Sequence, residues 1–175
     1  MEIRLLLTNP SVRGVFTGEN GADKDTLFYR AGLGTDFAKD WIQHGSDKFW
    51  NNGTEDAAVK GEFDPCPDGW RIPTATEIES ISKGQRSSKV TVDGVPGYWF
   101  TGSVRYSESV PTKIFLPSAG YRTKDSMAIY RGSHGAYWSS TVDGDNAMFM
   151  EFSYLSKSMV SDARSTGCSV RCVQQ

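Results

Sequence analysis

Several scarcities narrow the reading before any motif does. Only two histidines, His44 and His134, occur among 175 residues. Neither sits in a His-Glu-x-x-His pair or a Cys/His metal spacing. No Gly-x-Ser-x-Gly elbow marks a nucleophile. A non-catalytic chain without a metal or other cofactor is therefore expected. No apolar run near the start is long: Ile3 to Leu7 is interrupted by Arg4, too short for a membrane span or a signal-peptide core. Any export address is thus expected in residues beyond this sequence. There is no basic excess either. The net charge is −2, with Lys and Arg scattered, which argues against a nucleic-acid footprint. Cysteine is sparse and odd in number, at three. One disulfide with a spare thiol, or three free thiols, both fit that count.

What is present points to a loop-rich fold stitched by aromatic packing. Glycine reaches 18 residues and aromatics 12%, unlike a helical bundle. The length suits one domain over 1–175 that buries about two thirds of its unfolded surface. Residues 2–7 read as a short helix stopped at Asn9-Pro10. Residues 17–60 read as irregular, pinned by Phe28, Tyr29, Phe37, Trp41, Phe49 and Trp50, with a turn at Asn52-Gly53.

The segment 73–81 predicts a helix, with Thr74 as N-cap, Glu77 completing a capping box, Ile78 and Ile81 facing the core, and Gly84 as the stop. Short strands follow at Val90–Val92, Tyr98–Thr101, Lys113–Leu116, Ala136–Ser139, Ala147–Phe152, Lys157–Val160 and Ser169–Val173. Asp93-Gly94, Asp143-Gly144 and Gly132-Ser133 supply turns. One or two helices before many strands predict an α+β fold.

Four ordered motifs run through the chain. They are Asp64-Pro65-Cys66-Pro67 with Gly69-Trp70-Arg71-Ile72-Pro73-Thr74, Phe115-Leu116-Pro117-Ser118-Ala119-Gly120-Tyr121-Arg122, Tyr137-Trp138-Ser139-Ser140-Thr141, and Ser169-Val170-Arg171-Cys172-Val173. Together they resemble the Fibrobacter succinogenes major paralogous domain family of bacterial surface proteins. The resemblance implies a C-type lectin-like fold, with about two helices around a small twisted, mostly antiparallel sheet. It also implies the C-terminal part of a longer exported protein, at the cell surface or extracellular. Some relatives are variable proteins of diversity-generating retroelements. Asp25-Thr26-Leu27 and Asp125-Ser126-Met127 match a short O-glycosylation pattern of exported Bacteroidetes proteins, which mildly supports export.

Cys66 and Cys172 fall within the resembling motifs, so a bridge between them is implied. Cys168 lies four residues from Cys172 and competes for Cys66. Trp70, Trp99 and Trp138 read as buried scaffold. The paired motifs of calcium-dependent lectins are absent. Asp143-Gly144-Asp145-Asn146 could open an EF-hand loop, but Met148 stands where that loop needs Gly and Tyr154 where it needs Glu.

The segment from Asp143 to Thr166 is expected to carry function. Ala147, Phe149 and Phe152 read as an inward strand set, which Met148, Met150 and Glu151 fit poorly. The candidate contact residues are Asp143, Asp145, Asn146, Met148, Met150, Ser153, Tyr154, Lys157, Asp162, Arg164 and Ser165. Tyrosine and short polar residues on a rigid scaffold suit recognition. The expected activity is non-catalytic binding of a protein or glycan ligand. The alternative is an assembly module of a surface protein.

Overall fold

The computed structural model describes residues 46–101, 113–123 and 128–175. The helix expected over 2–7, the aromatics Phe28, Tyr29, Phe37 and Trp41, His44, and both O-glycosylation patterns lie outside the described residues. Among the described residues there is one helix, α1 (Ala75–Lys83), against eleven strands. The fold is therefore mostly β, in several small antiparallel sheets. This overturns the expected α+β, two-helix C-type lectin-like arrangement. One nine-residue helix is too little to form a layer, and the core is built between sheets instead.

Helix α1 forms for local reasons. The Thr74 hydroxyl accepts the Glu77 N–H, while the Glu77 carboxylate accepts the Thr74 N–H at 2.9 Å. Two other orphan donors of the first turn find distant partners. The Ala75 N–H donates to the Thr141 hydroxyl at 2.8 Å and the Thr76 N–H to the Glu55 carboxylate at 2.7 Å. Ile78 is buried, and Gly84 caps the end.

Ahead of the helix, the Asp64 carboxylate is buried and accepts the backbone N–H groups of Cys66 and Ile72, each at 2.8 Å. Lys60 donates to it from outside at 3.0 Å. Arg71 grips Glu77 with two hydrogen bonds of 2.6 and 2.7 Å. The first motif is thus a bracket that sets the helix start. Strand β1 (Trp70–Arg71) then pairs with β11 (Val173–Gln174), beside the Cys66–Cys172 disulfide. The last strand is only these two residues and shares only Val173 with the expected 169–173, where Ser169 makes an isolated bridge to Tyr137. Trp70 is 43% exposed, which corrects its reading as buried scaffold: among the described residues its neighbours are a turn and a two-residue edge pair. Trp138 is buried, as expected.

Two sheets face each other. In the first, β4 (Val95–Thr101) is flanked on one edge by β2 (Gln85–Arg86) and β3 (Val90–Val92), and on the other by β5 (Lys113–Pro117). Asp93 and Gly94 join β3 to β4 with positive φ values of 49° and 80°, the two-residue turn that matches strand twist. The second sheet runs β10 (Lys157–Ala163), β9 (Asn146–Phe152), β8 (Gly135–Asp143). A register break between Trp138 and Val142 bends β8 where Thr141 meets the helix. Strands β6 (Tyr121–Arg122) and β7 (Ala128–Ile129) form a small separate pair.

The second sheet carries a buried cluster on each face. Tyr137, Met150 and Phe152 join Tyr98, Phe100, Leu116 and Ile78 in one buried cluster. Phe152 is its hub, with ring centroids of Tyr98, Phe100 and Tyr137 at 5.6, 4.9 and 5.9 Å. Gly135 makes that hub possible, because a Cβ there would lie 2.1 Å from the Phe152 ring. On the other face Ala136, Trp138 and Phe149 pack with Trp50, Tyr121, Ala147 and Val160. Phe149 and Phe152 therefore point to opposite faces, correcting the inward set of Ala147, Phe149 and Phe152. The alternation of β9 survives; what differs is that both sides are core.

Candidate functional site

The residues expected to make contacts do not form one patch. They fall at the two ends of β9, about 20 Å apart at the usual rise per residue, and partly inside the molecule. Met150 is fully buried in the core, and Ser153 and Ser165 are buried too. Met150 is thus a packing residue and not a ligand contact. Met148 is half-buried, and its carbonyl accepts the Ser139 hydroxyl at 2.7 Å. Asp162 turns back on its own strand end, accepting from the Ala163 N–H at 2.7 Å and the Thr166 hydroxyl at 3.1 Å.

At the β8–β9 turn, Asp143 and Asp145 are exposed and Asn146 half-buried. Arg164 holds this turn by donating to the Gly144 carbonyl at 2.8 Å and the Asn146 carbonyl at 3.4 Å, and it also pairs with Asp47. Gly144 takes the positive φ of 58° that the turn requires. Arg164 is therefore a structural clamp more than a reaching side chain.

The β9–β10 turn, Ser153 to Ser156, is built differently. The Ser153 N–H donates to the Ser156 carbonyl at 2.8 Å, and the Ser153 hydroxyl accepts from the Leu155 and Ser156 N–H groups at 3.2 and 3.3 Å. Arg86, about seventy residues upstream, donates to three carbonyls of this turn. They are those of Ser153, Tyr154 at 3.0 Å and Ser156 at 2.8 Å. Its guanidinium lies 5.0 Å over the Tyr98 ring, which ties the clamp to the core. Lys157 adds a hydrogen bond of 2.6 Å to the Gly84 carbonyl at the helix end. Burial, then the nearby Arg86 charge, lowers the Lys157 pKa.

With its polar groups so held, the turn projects Tyr154 at 73% and Leu155 at 88% exposure. They are adjacent in sequence and the most exposed large apolar side chains among the described residues. Sequence reasoning found Tyr154 and missed Leu155, although an apolar residue inside a Ser-flanked turn was a readable oddity. It missed Arg86 entirely, since nothing local links Arg86 to the turn.

Among the described residues, no cluster of three or more His, Cys, Asp or Glu side chains could hold a metal, and no helix is long and apolar enough to cross a membrane. The crevice between α1, β5 and β8, lined by Ile81, Ile114 and Arg171 among others, encloses about 50 Å³. A small-molecule pocket usually needs roughly 300 Å³ or more. Cys168 is the free cysteine, and burial, with Asp162 and Glu151 nearby, pushes its thiol up.

Residues 96–173 match the family described as Domain of unknown function (DUF8237). That span covers β4 from Pro96 onward, β5 to β10 and the β9–β10 turn, and leaves out α1, β2, β3 and the Asp64 bracket. No curated protein and no solved structure matches the chain.

Proposed function

We propose that this domain is a non-catalytic binding module that docks a protein ligand through Tyr154 and Leu155. The observation that carries the reading is the pairing of these two exposed side chains with a turn whose backbone is fixed by Arg86. A flexible turn would lose entropy on binding, whereas a preorganised one loses little. Tyrosine and leucine give contact area for few rotors, and water gains from covering them. The module works in an oxidising, extracellular or cell-surface setting. The Cys66–Cys172 disulfide supports this, because such bonds persist in oxidising compartments. The resemblance of the four motifs to those of an exported family supports it as well.

The test is a screen of the oxidised chain against a displayed library of folded protein domains. Binders of the native chain should lose affinity at least about tenfold with Leu155→Ser or Tyr154→Ser, the effect of burying one large side chain. Binders indifferent to both changes would remove this face from the reading. The assembly alternative uses the same two side chains against another copy. Sedimentation that shows a concentration-dependent dimer, abolished by Leu155→Ser, would favour it.

A further inference from the structure

A second surface lies on the opposite face of the β8–β9–β10 sheet from Arg86 and its Tyr98 contact. The parallel bridge Gly120↔Gly135 brings Tyr121 alongside Ala136. Ala136 opposes Glu151 on β9, and Glu151 opposes Ser158 on β10. Tyr121, Ala136, Glu151 and Ser158 therefore make one row across four strands. The Tyr121 ring covers the core at Phe149, centroids 6.0 Å apart, and meets the Tyr130 ring at 5.8 Å. Tyr130 in turn lies against His134 at 4.3 Å, the planes 31° apart.

From these contacts we infer that Tyr130 and Tyr121, with the Glu151 carboxylate two strands from Tyr121 on the same row, form a shallow binding site for neutral or amino sugars. Three features support it. Tyr130 is half exposed yet rigid. It holds a left-handed φ of 59°, unusual for a bulky residue. Its carbonyl accepts the N–H groups of Ser133 and His134 and the Ser133 hydroxyl, at 3.0, 3.0 and 2.9 Å. Glu151 is half-buried, and no hydrogen bond or ion pair to its side chain occurs among the described residues. Its two oxygens are therefore open to donors from a ligand. Burial first, and then the Glu151 and Tyr130 charges, raise the Tyr121 pKa, so its hydroxyl stays protonated and able to donate.

The chemistry matches a pyranose. The ring C–H edges of a sugar carry partial positive charge and settle on the negative face of an aromatic ring. Adjacent hydroxyls then donate to the two acceptor oxygens of a carboxylate. Acidic sugars are disfavoured, because Glu151 and Asp162 stand on the same sheet face (Asp162 opposes Ala147 and Glu151 opposes Ala136) and repel a second anion. The site does not depend on the Tyr154–Leu155 contact.

The experiment uses the full oxidised chain on a printed array of neutral, amino-containing and acidic oligosaccharides, with a trimethyl-lysine peptide as a cation control. Neutral or amino glycans should be retained, and sialylated or uronic-acid glycans should not. Calorimetry with the best-retained glycan should then show Tyr130→Ala and Glu151→Gln each weakening binding about tenfold or more, the scale of one lost charge-assisted contact. Tyr130→Phe keeps the ring and should stay within about threefold, and Leu155→Ser should change nothing. Each variant is first checked for the native melting temperature; Glu151→Gln and Tyr130→Phe keep the test open if Tyr130→Ala fails to fold. The inference is overturned if no glycan is retained, if acidic glycans bind best, if only the trimethyl-lysine peptide binds, or if Glu151→Gln binds like the native chain.

Discussion

Removing the Cys66–Cys172 bridge is the perturbation with the most readable magnitude. The two cysteines are 106 residues apart in sequence, so the bond closes a large loop in the unfolded chain. In the chain-entropy description, opening a loop of that size is worth about 4.8 kcal/mol at 25 °C. A domain of this size has only about 5–15 kcal/mol in total, so the Cys66→Ala/Cys172→Ala double variant should be folded but marginal. Native-state strain and residual structure reduce such gains, so about 3–5 kcal/mol is expected in a urea titration. The slope against urea should also rise, because the unfolded chain without its cross-link exposes more surface. A loss under about 1 kcal/mol would refute the reasoning. It would mean that β1 and β11 separate locally when the bond is cut. Hydrogen exchange would then show early loss of protection in that pair alone, with the two-sheet core untouched.

Other outcomes follow from the packing and the ion pairs. Met150→Ala should cost about 2–5 kcal/mol in a denaturant titration, as a core truncation does, whereas a contact residue would cost almost nothing. Gly135→Ala should prevent folding or cost at least about 1–3 kcal/mol, since its methyl would enter the Phe152 ring; Gly135→Ala with Phe152→Leu should recover part of that. Hydrogen bonds from Arg71, set against burial, hold the Glu77 carboxyl below its usual 4.5. That contribution is present above pH 4.5 and is lost as pH falls through that value toward the lower folded one. Glu77→Gln should therefore be less stable at pH 7 and show a shallower acid limb of stability against pH. Cys168 should resist iodoacetamide at pH 8 in the folded chain and react once unfolded, because its thiol is partly covered and its pKa raised.

Local chemistry was legible and tertiary chemistry was not. The helix could be read because its signals, Thr74, Glu77, Ile78 and Gly84, lie within eleven residues and act on one another. The Asp93-Gly94 turn could be read for the same reason. Strands β1, β2, β6 and β7 have two residues each and no pattern of their own; their partners create them. The run from Ala147 to Phe152 is apolar on both sides, and a one-sided reading forced Phe149 and Phe152 onto a single face. The resemblance to an exported family carried the disulfide correctly and the fold class wrongly. The motifs it rests on are local brackets, such as the Asp64 carboxylate, that a mostly β chain can use as well. Within the candidate site Tyr154 was visible by residue type, but its fixed presentation depends on Arg86, which sequence distance hid.

The pairing of Trp70 and Arg71 with Gln174 and Val173 also sets a schedule. A chain that emerges from one end cannot close this sheet, nor form its disulfide, until about a hundred further residues have appeared. The β8–β9 hairpin, in which Phe152 lies against Gly135, is local and needs no such wait. The Cys66–Cys172 bond, by contrast, can form only after the whole stretch between its two ends has been made.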